Sequence, residues 1–498
     1  MSQGVPVLRR LAITVSVTLA SGMAMLDQNI AVVALPHVQG GLSASPEQVS
    51  WMLTSYILGM AVMMPLVGWL SGRFSRKSIF LTSILGFTAT SMGCGMATSL
   101  PELVIMRLLQ GMFAAPMPPL SQSVLLDSYP PDRSSQAMAV WSMGALVAPI
   151  MGPLLGGWIT QEMSWRWVFY INLPIGIIAG TGVILSMRHE KAGVDRPFDV
   201  MGFASLVIGL GALQLALDRG PSLDWLASPE ICVELMVAAM GLWVFFTHSA
   251  SAAHPLFDKA LARDRNMLTA TIFAFFFGMM MNGVIAVLPA MMQRLFDYPA
   301  LTAGIGSMPR GFSSLVMMIL MASLPARFDA RILLAIGMVI YAIGLATMLS
   351  FDLSQSLYSF VITSLIQGAG LGLMFAPLTA VAFSTLSPNL RSEAAAALNM
   401  VRFAGSGMGI ALVQAILSTN TAAMHGSLAE HITPDGPVAR EAFGTALDSE
   451  AGLTVLDAEL TRQAAMVAHL DVFLLLLGVL VLCIPLVLVL RGKKPAAV

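Results

Sequence analysis

Three arginines and one aspartate sit inside long apolar runs, where an ionisable side chain is costly and marks a function by default. Asp27 is the only acid set well inside such a run, and Arg107, Arg310 and Arg402 are the cations. At the helical rise, Asp27 lies about 14 Å below the outer end of its run and Arg107 about 7 Å below the end of its own. An arginine side chain closes much of that gap, so Asp27 and Arg107 are expected to meet directly or through water. The chemistry this permits is proton exchange. A proton arriving at Asp27 weakens its hold on Arg107 and favours release of cargo, and loss of that proton resets the site. A static ion pair is the plainer alternative. Arg310 and Arg402 have no embedded acid to match them. Either they favour anionic amphiphiles in a central cavity, or each binds backbone carbonyls or snorkels to an interface. Gln28, Asn29, Gln110, Asn282, Gln367 and Asn399 complete the candidate cavity set with Arg310 and Arg402.

These residues need a membrane-spanning scaffold. Of 498 residues, 57% are hydrophobic and only 11% charged, against about 25% charged in soluble domains. The mean hydropathy is +0.80, so lipid must surround most of the chain. Fourteen runs reach the length of about 20 residues that a spanning helix needs. They cover 11–36, 48–70, 78–98, 102–126, 137–160, 165–187, 200–217, 231–248, 267–292, 301–323, 330–350, 357–380, 394–418 and 470–490. The first is too long for a cleaved leader and is read as a retained helix. With the N-terminus inside, 18 of the 26 Lys and Arg fall on the cytoplasmic side and 5 outside. That bias predicts a multi-pass protein of the bacterial cytoplasmic (inner) membrane with both termini in the cytoplasm. Cys94, Cys232 and Cys483 read as small apolar residues.

The chain repeats itself. Gln110-Gly111, Pro131, Ala137, Met143 and Gly152 recur 257 residues later as Gln367-Gly368, Pro388, Ala394, Met400 and Gly409. Arg73-Phe74 and Lys77 match Arg327-Phe328 and Arg331, and Leu35-Pro36 matches Leu288-Pro289. Repeats that frame a midplane site are a transporter signature. The expected layout is a six-helix bundle in 1–190, a two-helix insert in 191–265 and a second six-helix bundle in 266–498. The last includes an outer loop, 419–469, read as an amphipathic segment at the membrane surface.

Six motifs carry a family resemblance. GWLSGRFSRKSIFL at 68–81 resembles the cytoplasmic-loop signature of the major facilitator superfamily, with Gly68, Arg73, Arg76 and Lys77 in place. Gly72 stands where that family has Asp, and Ser75 where it has Gly. RLLQG at 107–111 is similar to a further family motif. GALVAPIMGPLLGG at 144–157 resembles the antiporter motif, with Gly144, Pro149, Gly152, Pro153, Gly156 and Gly157. LDQNIAVVALP at 26–36, WRWVFYINLPIG at 165–176 and LDRGPSLDW at 217–225 look like signatures of the fourteen-span drug:proton antiporter branch, of the EmrB/QacA type. The resemblance implies an all-α major facilitator fold of two pseudo-symmetric six-helix bundles plus two inserted helices. It implies alternating-access efflux of hydrophobic or amphiphilic compounds in exchange for protons. Protons are then the coupling ion and no cofactor is expected. A periplasmic adaptor (a membrane fusion protein) and an outer-membrane channel are implied as partners. A proton symporter, or an exporter of one metabolite on the same fold, is the alternative. No phosphate-binding G-x-x-x-x-G-K-[ST] loop, metal-protease motif or nucleophile elbow occurs, which disfavours a pump driven by ATP and an enzyme. No basic run is long enough to track nucleic acid.

Overall fold

A computed structural model of the chain describes residues 7–129, 150–188, 197–323, 329–383, 385–386, 390–431, 436, 440–441 and 449–490. All regular structure among them is helical. The first half comprises α1 (Val7–Leu42), α2 (Pro46–Arg73), α3 (Arg76–Met96), α4 (Leu100–Ala114), α5 (Met117–Ser128), α6 (150–162), α7 (Trp167–Tyr170) and α8 (Asn172–Ser186). The insert is α9 (Val200–Arg219) and α10 (Pro229–Ser251), followed by the short α11 (Lys259–Arg263). The second half holds α12 (Arg265–Leu295), α13 (Ala300–Ser323), α14 (Ala330–Met348), α15 (Leu357–Phe383), α16 (Arg391–His431), α17 (Glu450–Cys483) and α18 (Leu486–Val489).

Small polar residues punctuate the apolar runs and start the helices. Ser45 caps α2 in a reciprocal box with Gln48, while Ser75, Ser99, Asp199, Asp264, Asp329 and Ser449 accept from backbone N–H groups of their first turns. Each cap satisfies a donor that hydrocarbon would leave stranded. Twelve helices among the described residues are long and apolar enough to cross a membrane, with α4 and α5 forming one such unit. The other two expected runs differ for separate reasons. The fifth lies largely in 130–149, outside the described residues. The tenth is the 24-residue α13, which carries Arg310, Pro309 and several glycines and serines.

Two hydrophobic cores form. One gathers Tyr56, Phe80, Phe87 and Phe169 from the first half, together with Ala286, Met400 and Ile410 from α12 and α16. The other gathers Phe273, Phe277, Tyr341, Phe360 and Phe473. The inserted α9 and α10 pack closely through Gly209 and Gly241, where a methyl on Gly241 would sit 2.7 Å from the Gly209 nitrogen. The pair docks on the seam where α2 meets α16: Trp51 Nε1 donates to the Asp218 carbonyl at 3.2 Å, Thr54 Oγ1 to the Asp218 carboxylate at 2.9 Å, and Gln214 Nε2 to the Gly407 carbonyl at 3.3 Å.

One expectation is corrected here. The outer segment 419–469 is helical where it is described, but residues 419–431 and 450–469 continue α16 and α17 past the expected span limits of 418 and 470 and are not a separate helix at the membrane surface. At 41 and 34 residues these helices run about 60 and 50 Å, well beyond the hydrocarbon core of about 30 Å. Their Ala-rich ends contain no proline, and Asn420 donates to Asp471 at 2.8 Å while His425 pairs with Asp457 at 3.0 Å. The inserted α9 extends past the expected limit of 217 and takes in Asp218 in its last turn.

Candidate functional site

Asp27 on α1 and Arg107 on α4 form an ion pair with both side chains wholly buried. Neither relies on the other alone. Oδ1 of Asp27 accepts from Gln110 Nε2 at 2.9 Å and from Asn172 Nδ2 at 2.7 Å. Arg107 donates from Nε to the Met52 carbonyl at 3.1 Å and from Nη1 to Gln110 Oε1 at 2.8 Å. Its guanidinium lies 4.2 Å from the ring centre of Tyr56 and 5.6 Å from that of Phe169. Asn172 is held by Ser91 Oγ at 2.9 Å, and Tyr56 donates to the Ala24 carbonyl at 2.9 Å. Five helices, α1, α2, α3, α4 and α8, therefore converge on one carboxylate. A buried pair needs most of its remaining lone pairs and N–H groups answered, and here Arg107 Nη2 and Asn172 Oδ1 are the buried atoms without a partner.

Beside the pair lies a cavity of about 1950 Å³, walled by both halves. Gln28, Asn29, Asn282, Arg310, Asn399 and Arg402 are on its wall. Gln110 and Gln367 are fully buried away from it, the first inside the ion-pair network and the second donating to Met348 Sδ at 3.2 Å. Their side chains point to neighbouring helices of their own half, which the apolar runs gave no means of telling. Gln28 bridges the halves by donating to Asn282 Oδ1 at 3.2 Å. Behind Gln28 a crevice of about 10 Å³, lined by Arg107, Gln28 and Asn282 among others, has room for about one water molecule. Its lining shares Gln28, Val32, Asn282 and Ile285 with the cavity wall.

The cavity reaches the end of the bundle that carries Gly68, Trp69 and Arg76, and its mouth includes Asp199, Phe257 and Lys259. The opposite end is shut. A methyl on Gly157 would collide with the Ala300 carbonyl, and one on Gly304 with the Pro153 carbonyl, so α6 and α13 touch backbone to backbone. Gly152 and Gly156 do the same for α6 against Asn29 and Ile30 of α1. Across the same end, Gln293 Nε2 donates to the Val33 carbonyl at 3.3 Å and Arg294 donates to Gln39. Gly144 and Pro149 lie outside the described residues.

The cytoplasmic-loop motif does local work. Arg73 stands over Trp69 at 5.5 Å, and Lys77 Nζ donates to the Ile184 and Met187 carbonyls at 2.6 and 2.8 Å. Lys77 thus caps the C-terminal carbonyls of α8 in its own half. Its repeat counterpart Arg331 donates to the Leu490 carbonyl at 3.1 Å.

Sequence reasoning missed Asn172, Tyr56 and Ser91. Asn172 was within reach, since it is the one amide in the WRWVFYINLPIG segment; Tyr56 and Ser91 carry no signal in single apolar runs.

Comparison with known proteins agrees with this architecture. The Major Facilitator Superfamily profile matches residues 17–410. The multidrug export protein EmrB of Haemophilus influenzae is 34% identical over 434 residues, which is 86% of this chain and 85% of that protein. The fatty acid resistance protein FarB of Neisseria gonorrhoeae is 33% identical over 480 residues, 95% of each chain. Among solved structures, a bacterial homologue of the human lysosomal transporter Spinster, inward-facing and occupied, superposes with a TM-score of 0.63 at 18% identity over 95% of this chain and 96% of that one, a likeness of fold. The helices, the repeat and these relatives together make this chain a multi-pass membrane transporter of the Major Facilitator Superfamily, in the group that includes the EmrB-type export proteins.

Proposed function

We propose that the protein is a proton-coupled efflux transporter that moves hydrophobic or amphiphilic compounds by alternating access. The observation that carries this reading is the Asp27–Arg107 pair, fully buried yet one water-sized crevice from the central cavity. Multidrug export and fatty acid resistance, the activities named for the relatives, supply the cargo class. The lysine and arginine bias assigns the basic, open end to the cytoplasm, and the captured state then faces inward.

The cycle follows from the contacts. With Asp27 ionised, its carboxylate holds α1 against α4 and α8. Cargo enters the cavity from the cytoplasmic side. A proton from the outer side binds an Asp27 oxygen and leaves Arg107 held only by Gln110, the Met52 carbonyl and two aromatic faces. The attraction that fixes α1 falls, the α6–α13 seal parts, and cargo leaves outward. Return to the inward state releases the proton to the cytoplasm.

The protruding ends of α16 and α17 lie at the end opposite the basic mouth. We assign them to docking of a periplasmic adaptor, which would pass cargo to an outer-membrane channel. The bacterial cytoplasmic membrane, with both termini inside, is the matching location.

The test uses purified protein in liposomes loaded with a pH-sensitive dye and an imposed proton gradient. Export predicts that adding a hydrophobic drug dissipates the gradient. Drug that moves in the same direction as the protons would establish symport and overturn the reading.

A further inference from the structure

The two halves repeat one design, and the copies differ at the charged site. The repeat holds in space. A methyl on Gly111 would strike the Tyr56 carbonyl, and one on Gly368 would strike the Arg310 carbonyl. Cys94 Sγ contacts Gln110 Oε1 at 3.5 Å, and Met348 Sδ contacts Gln367 Nε2 at 3.2 Å. At these offsets Tyr56 corresponds to Arg310, Phe87 to Tyr341, Arg107 to Ser364 and Asp27 to Met280. The second half therefore keeps a cation, moved from α4's counterpart to α13, and carries a thioether where the acid stood.

Both charged sites keep unanswered buried atoms, Nη2 of Arg107 and Oδ1 of Asn172 in the first half and more of them in the second. Nε and Nη2 of Arg310, Oγ of Ser364 and Oε1 of Gln367 are all buried without a hydrogen-bond partner. Unmet donors on a buried guanidinium are among the most expensive defects a protein can hold. Arg402 is in a different position. Its guanidinium lies over the Phe375 and Phe403 rings at 5.1 and 5.3 Å, and Nη2 donates to Asn399 Oδ1 at 2.7 Å. Arg310 is on the cavity wall, which it shares with the apolar side chains of Phe277, Met281, Met318 and Phe375. An unanswered cation beside an apolar wall is complementary to one kind of molecule.

We propose that Arg310 binds the carboxylate head of an anionic amphiphile, whose tail lies against Phe277, Met281, Met318 and Phe375. Planar pairing of a guanidinium with a carboxylate is the geometry arginine serves best. The proposal rests on the export reading for direction of transport, but the binding step does not depend on it.

The experiment measures equilibrium binding of radiolabelled dodecanoate and of methyl dodecanoate, its uncharged ester, to the purified full chain in detergent. The native protein should bind dodecanoate about tenfold or more tightly than the ester. Arg310→Gln should lose that preference by weakening dodecanoate alone, and Arg310→Lys should keep part of it. Native protein that binds both probes equally overturns the proposal without recourse to any variant, which covers the case of Arg310→Gln failing to fold. Arg310→Gln, monodisperse, that weakens both probes or neither also overturns it. Failure of the export reading would look different: dodecanoate binding that depends on Arg310, with no proton flux on adding dodecanoate to liposomes.

Discussion

Asn172 reaches from α8 to the same carboxylate oxygen of Asp27 that Gln110 holds from α4, at 2.7 and 2.9 Å. Asp27 is thus clamped by two neutral amides as well as by Arg107. Hydrogen bonds to a charged group contribute about 1.5–3 kcal/mol. Asn172→Leu should therefore cut drug-linked proton flux roughly tenfold while the protein still elutes as a single species on size exclusion. Unchanged flux would mean that Asn172 only fills space.

The shut end depends on glycine. Gly157→Leu places a side chain into the Ala300 carbonyl, and backbone cannot step aside as a side chain would. The variant should be unable to close that end and should lose transport. A gentler check pairs cysteines at Gln161 and Leu301, whose side chain and backbone nitrogen meet at 3.4 Å. An impermeant oxidant outside the cell should cross-link Gln161→Cys with Leu301→Cys and stop transport reversibly. Access only from the cytoplasm would reverse the orientation.

Lys77 donates to two carbonyls at the end of α8. Lys77→Ala should lower stability by about 1 kcal/mol, seen as a drop in Tm, whereas Lys77→Arg should restore most of it. A loss of flux without any change in Tm would instead favour a direct role in the conformational change.

Asp329 caps α14 outside the membrane-spanning stretch, and Arg331 beside it holds its carboxyl below the usual carboxylate range. A lowered value means the ion pair contributes in full above the unfolded value of about 3.9 and is lost as pH falls through the folded one. Asp329→Asn keeps a competent cap and removes the charge. Its Tm should lie slightly below the native value at pH 7, the pair being partly exposed, and the two should converge once the pH has fallen through the lowered folded value. A gap that persists in acid would assign the effect to packing.

Much of this architecture is written in the order of apolar runs, because a membrane leaves the backbone few choices. The meeting of Asp27 with Arg107 followed from helical rise and the reach of an arginine side chain, which spans most of the roughly 7 Å between their depths. Rotation about the helix axis was not legible. It decides that Gln28 faces the cavity while Gln110 faces Asp27, and it depends on packing between helices distant in sequence. Helix length beyond the bilayer was equally hidden, because the Ala-rich ends of α16 and α17 carry no stop signal and their pairing is fixed by Asn420 with Asp471 and His425 with Asp457. The duplication was visible as matching letters, but its most telling difference, Met280 in place of Asp27, required the halves to be aligned in space.

The central claim is that Asp27 exchanges the coupling proton. Asp27→Asn preserves shape and the capacity to accept from Gln110 and Asn172, and abolishes the proton-binding carboxylate. The most direct measurement is drug-dependent dissipation of an imposed proton gradient in liposomes, native chain against Asp27→Asn, with drug binding confirmed in both. The account predicts that the variant binds drug yet shows no drug-linked proton flux. Flux equal to that of the native chain would contradict it and place the coupling site elsewhere.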